Sequence, residues 1–110
     1  MKQNELRDYA LTLTDTNSIY AMETGKTVNG FYLTIGKLDF FIVSDRKNKT
    51  DKLASDILRK LLLPNNPDTR KEVLYWLSSG NCRKMSPGTF YSIKYDNSCF
   101  HTDELIVISL

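Results

Sequence analysis

Apolar residues recur at helical spacing near the start of the chain. Leu6, Tyr9, Ala10 and Leu13 fall at i, i+3, i+4 and i+7, with Glu5, Arg7 and Asp8 off the stripe. That spacing predicts a helix with one buried face. Asp15-Thr16-Asn17-Ser18 interrupts it, because these side chains compete for backbone hydrogen bonds. Ile19 to Met22 is too short to show a period and is read as a strand, and Gly25 and Gly30 bracket a polar connection. The pattern then changes. Phe31–Ile35 and Leu38–Val43 are aromatic and β-branched segments separated by Gly36-Lys37. A glycine first in a two-residue loop suits a type II′ turn, so a β-hairpin is expected here. Alternation places Phe31, Leu33 and Ile35 on one face and Tyr32 and Thr34 on the other.

Helical spacing returns after the polar run Asp45–Lys49. Thr50 or Asp51 can cap a helix whose apolar face is Leu53, Ala54, Ile57, Leu58, Leu61 and Leu62. Pro64 is expected to stop it, and Asn66-Pro67 to start the next. Val73, Leu74 and Leu77 form the second stripe, with Trp76 at its edge and Gly80 placed to terminate the helix. Asn81 to Gly88 reads as a loop, Thr89 to Tyr95 as a half-buried strand by alternation, and Asp96-Asn97-Ser98 as a turn. Leu105–Ile108 is continuously apolar, which predicts a strand covered on both faces and lying inside the sheet. The segregated runs of elements predict a single α+β domain over 1–110. Its sheet should be mainly antiparallel, with four or five strands and about three helices on one face.

Composition sharpens this picture in two ways. With 41% apolar and 25% charged residues, the chain has enough apolar surface to offset ordering, and no run is long enough to span a bilayer. The polar start, Met1 to Asp8, lacks the apolar stretch of a secretory signal, so a cytoplasmic protein with reduced Cys82 and Cys99 is expected. The net charge of +2 is unevenly placed. Residues 46–84 hold ten Lys or Arg against four Asp or Glu, and the remainder holds five against nine.

Candidate chemistry is sparse. Cys99 and His101 would share a face of a strand, and Asp103 could orient the imidazole, an arrangement compatible with a cysteine nucleophile. A structural zinc site normally needs four Cys or His ligands, and the chain has three such residues in all. Thr24-Gly25-Lys26-Thr27 carries the tail of a phosphate-binding loop without its upstream glycine. No cofactor or metal is expected. A Cys/His-dependent enzyme is the third-ranked function.

Two binding functions rank above it. The consecutive helices of residues 51–79, with the loop after them, carry Lys52, Arg59, Lys60, Lys71, Arg83 and Lys84, a possible basic surface for nucleic acid. Tyr75 lies opposite the core stripe and could stack on a base. Asp56, Asp68 and Glu72 interleave with these cations. The leading expectation is instead a protein-binding module, an inhibitor or adaptor acting on a larger protein. In style it is similar to the small domains by which phages and mobile elements block host enzymes. Six tyrosines and one tryptophan supply potential anchors, among them Tyr75 and, on the open hairpin face, Tyr32.

Overall fold

The computed structural model describes residues 2–79, 84–96 and 105–110. Gln3–Thr12 forms helix α1 and Thr16–Glu23 forms helix α2. Asp15 separates them. Its carboxylate accepts from the Ser18 N–H at 2.9 Å and from the Ser18 hydroxyl at 2.7 Å, capping α2. This corrects the expected strand at Ile19–Met22: the polar residues that end one helix nucleate the next, and Met22 is buried.

The hairpin forms as expected. Strands β1 (Val28–Ile35) and β2 (Leu38–Val43) pair antiparallel, from Ile35↔Leu38 at the turn to Gly30↔Val43. Gly36 has φ +61°, and Leu62 is the sole described non-glycine residue with positive φ, so the loop follows the II′ sign pattern. Gly30 lies inside β1, not in a connection. A Cβ there would run into the Ile42 carbonyl oxygen and sit 2.7 Å from the Phe41 ring.

Helix α3 (Asp51–Lys60) starts at Thr50, whose hydroxyl oxygen accepts from the Leu53 N–H at 3.3 Å. Leu53, Ala54, Ile57, Leu58 and Leu61 are buried, but Leu62 is 61% exposed. The helix closes before Pro64 is reached. The Leu62 N–H donates to the Arg59 carbonyl and the Leu63 N–H to the Leu58 carbonyl, with Leu62 at φ +55°. This is a Schellman closure with leucine where glycine is usual. Helix α4 (Pro67–Ser79) begins as the sequence implies. Asn66 Oδ1 accepts from the Thr69 N–H and Thr69 Oγ1 from the Asn66 N–H, both at 3.0 Å. Val73 and Leu77 are buried and Trp76 is half-buried. Gly80 and the turn at Asn97 and Ser98 lie outside the described residues.

The last elements are strand β3 (Lys84–Met85), helix α5 (Pro87–Asp96) and strand β4 (Leu105–Ser109). The strand expected over Thr89–Tyr95 is therefore a helix. Ser86 caps it, its hydroxyl oxygen accepting from the Thr89 N–H at 3.3 Å, and Pro87 takes the first position, where its missing N–H costs nothing. An alternation read over seven residues was outweighed by this start signal.

The sheet order is β3-β1-β2-β4. β1 pairs antiparallel with both β2 and β3, as expected, whereas β2 and β4 run parallel, so the sheet is mixed, with two antiparallel pairings and one parallel. Five helices cover both faces, in place of about three on one. Leu6 and Ala10 of α1, the apolar faces of α3 and α4, Phe31, Leu33, Phe40, Ile42, Ile106 and Ile108 form one core. Met22 of α2, Phe90 of α5, Met85, Tyr32, Phe41, Leu105 and Val107 form the other. The continuous apolar run in β4 thus serves both faces, as its pattern implied. Its position is not internal, since β4 ends the strand order. The edge is partly occupied: the Asp15 N–H donates to the Val107 carbonyl at 2.7 Å and Thr14 bridges Ile108.

Two substitutions test these backbone assignments by equilibrium denaturation. Gly30→Ala should destabilise the domain by roughly 1–3 kcal/mol or more, because the added methyl overpacks the Phe41 ring and the β2 backbone. Leu62→Gly should stabilise it by roughly 0.5–1 kcal/mol, because the left-handed conformation strains every residue but glycine.

Candidate functional site: a basic cleft around Arg46

The parallel pairing of β2 and β4 sets this site. In a parallel pair both strands end on the same side, and Val43 stands opposite Ser109. The segment leaving β2, Ser44 to Arg46, therefore lies near Leu110. β1 runs the other way, so its beginning arrives at the same end: the Ser44 N–H donates to the Asn29 carbonyl at 3.2 Å. β3 pairs there too, with Asn29 opposite Lys84. Four segments distant in sequence are thus gathered at one end of the sheet.

Arg46 is common to three adjoining depressions at this end. One is lined by Asn29, Gly30, Phe31, Ser44, Asp45, Lys47 and Lys84, and a second by Val43 and Leu110 with Ser44 and Asp45. The third is lined by Asp56, Arg59, Lys60 and Leu110. Counting side chains alone, they hold five cations and two carboxylates, a surplus of three. That exceeds the +2 of the whole chain, so the positive charge is concentrated here.

Asp56 organises the cleft. Arg46 Nη1 lies 2.6 Å from Asp56 Oδ2, and Arg59 Nη1 lies 3.7 Å from Asp56 Oδ1. Hydrogen bonding from Arg46 holds the Asp56 carboxyl below its usual range, with the charges of Arg46, Lys52 and Arg59 adding to the effect and desolvation opposing it. The pair ties the 44–50 segment to α3. Two further contacts fix that segment: the Arg46 N–H donates to Ser44 Oγ at 3.1 Å, and Lys49 Nζ sits 5.8 Å from the centre of the Phe31 ring.

The chain matches no family model, no curated protein and no solved structure.

The residues singled out from sequence divide into four groups. Arg59, Lys60 and Lys84 line the cleft, and Lys52 is exposed on α3 near Asp56. Lys71 and Tyr75 are exposed on α4 and line none of the three depressions; Tyr75, at 66% exposure, meets Trp76 edge-on with ring centres 6.0 Å apart. Tyr32 cannot be a surface anchor. It is 3% exposed, packs edge-on against Phe41 at 4.9 Å, and its hydroxyl donates to Met85 Sδ at 3.1 Å. The hairpin face expected to be open is covered by α2 and α5, with Met85 of the neighbouring strand β3 packed beside Tyr32. Arg83, and the proposed thiol and imidazole chemistry of Cys82, Cys99, His101 and Asp103, lie outside the described residues. Arg46 and Lys47 were missed as site residues. Their signal was the start of the basic stretch at position 46, read as a solvated loop because nothing in sequence shows that it lies against Leu110 and Lys84.

The Asp56 tie has a defined pH signature. A carboxyl whose folded pKa is lowered binds fewer protons folded than unfolded. Its stabilising contribution is therefore complete above the ordinary value of 3.8 and is lost as pH falls through the lower folded value. Denaturation midpoints should fall less steeply below about pH 5 in Asp56→Asn than in the parent chain. An unchanged acid limb would show that Asp56 contributes nothing to that dependence.

Proposed function

We propose that the chain is a protein-binding module, an inhibitor or adaptor, that engages a carboxylate-bearing surface of a larger protein through the cleft around Arg46. The observation that supports this reading is the gathering of Arg46, Lys47, Arg59, Lys60 and Lys84 from separate segments into adjoining depressions. Arginine in such a place suits carboxylates, which its planar fork can hold by two parallel hydrogen bonds. Covering an acidic working surface of the partner is how such contact would inhibit.

Nucleic acid fits the cleft less well. A phosphate backbone presents negative charge without interruption. Asp45 and Asp56 stand within the lining and interrupt its positive charge. A protein surface can answer these two carboxylates with its own lysines or arginines, which nucleic acid cannot do.

The deciding experiment is capture from a nuclease-treated lysate of the source cells, with the parent chain and an Arg46→Ala/Lys60→Ala/Lys84→Ala variant as baits. A protein retained by the parent and lost with the variant is the expected result. With that partner purified, the variant should slow association by roughly tenfold or more at low salt and change dissociation less, because surface charge chiefly steers encounter. Retention that vanishes with nuclease, together with log-linear loss of affinity for single-stranded RNA or DNA as salt rises, would replace this reading with the nucleic-acid one.

A further inference from the structure

The opposite end of β1 borders a second space, independent of the Arg46 cleft. It is enclosed by Leu33, Thr34 and Ile35 of β1, by the turn between α3 and α4, and by α4 itself, and its volume is about 120 Å³. Leu58, Leu63, Pro64, Val73 and Trp76 complete its apolar wall. Neither threonine of the lining offers its hydroxyl proton. Thr34 donates to Asp39 at 2.8 Å and Thr69 to the Pro64 carbonyl at 2.8 Å. Glu72 is the one charged residue among the described lining residues, and it is exposed.

These features select a ligand chemistry. An aliphatic cavity of roughly 150 Å³ is enough to admit a benzene ring. A somewhat smaller space with an open mouth therefore suits a single branched or aromatic group, not an extended segment. The carboxylate of Glu72 and the indole of Trp76 both favour a cation at the mouth, the first by charge and the second by its ring face. We propose that the space between β1 and α4 binds a small free primary amine, its branched or aromatic carbon group inside and its ammonium at Glu72. Walls from three elements leave room for one such group, which separates this site from a flat docking face. The pocket is apolar where the ligand is apolar, and its one charge is opposite in sign to the ligand's.

Trp76 is the chain's single tryptophan, so its emission reports on the pocket directly. The full chain is titrated with 3-methylbutylammonium and, separately, with the uncharged 3-methylbutanol. The amine should change Trp76 emission saturably, at least five- to tenfold more tightly than the alcohol. Glu72→Gln alters an exposed side chain and should remove that preference while leaving the response to the alcohol. Ile35→Phe, which fills the space from β1, should abolish both responses in a protein that still melts cooperatively. Three results would each overturn the proposal: no saturable change up to ten millimolar, an amine preference that survives Glu72→Gln, or tighter binding of an acetyl-Leu-Lys-amide peptide than of the amine. The last would move the site to a polypeptide ligand.

Discussion

Burial of β2 on both of its faces is the constraint on which the remaining structure depends. Phe40, Phe41 and Ile42 are wholly inaccessible to solvent, and successive side chains of a strand point in opposite directions. A strand with large apolar groups on both sides needs cover on both sides. One layer of helices cannot supply it, so α1, α3 and α4 take one face and α2 and α5 the other. Asp39 follows from the same constraint. It is a fully buried carboxylate on a two-sided strand, held across the hairpin by the Thr34 hydroxyl.

The parallel partner of β2 explains the path of the chain. Parallel neighbours cannot be joined by a tight turn, so the chain between Val43 and Leu105 must travel back along the sheet before pairing. It crosses one face as α3 and α4, reaches the far edge as β3, and crosses the other face as α5. A consequence is that the departing end of β2 and the far end of β4 lie side by side. That places Arg46 against Leu110 and within reach of Asp56. The basic cleft follows from strand direction as much as from composition, in keeping with the tendency of binding sites to form where parallel strands end.

The two spaces flanking β1 differ in the physics they offer. At the Arg46 end the lining is charged and open, suited to a partner that brings its own ionised groups. At the Trp76 end the lining is mostly apolar and the space narrower, with one carboxylate among its lining residues. Leu62 adds a local cost nearby. A leucine held at φ +55° with its side chain exposed is a conformation that glycine would adopt more easily.

The sequence by itself determined the elements whose signals are local. Gly36-Lys37 between two aromatic strands set the hairpin and its register, Thr50 and Asn66-Pro67 set the starts of α3 and α4, and the stripes at Leu53/Ile57 and Val73/Leu77 set which faces are buried. It also carried the two-sided burial of Leu105–Ile108, since a run without alternation leaves no polar face. Tertiary structure decided what local signals could not. Asp15 and Ser86 mark helix starts, yet the segments after them are short and apolar enough to suit either state, and packing of Met22 and Phe90 against the second sheet face selects helix. The direction of β4, its place at the sheet edge and the burial of Tyr32 depend on contacts between residues tens of positions apart. The same holds for the site. The charge of residues 46–84 was visible as composition, but only the assembled sheet, with β3 antiparallel to β1 and β4 parallel to β2, and the packing of α3 on it bring Arg46, Lys60 and Lys84 to one end, because strand direction is a property of the paired chain and not of any segment within it.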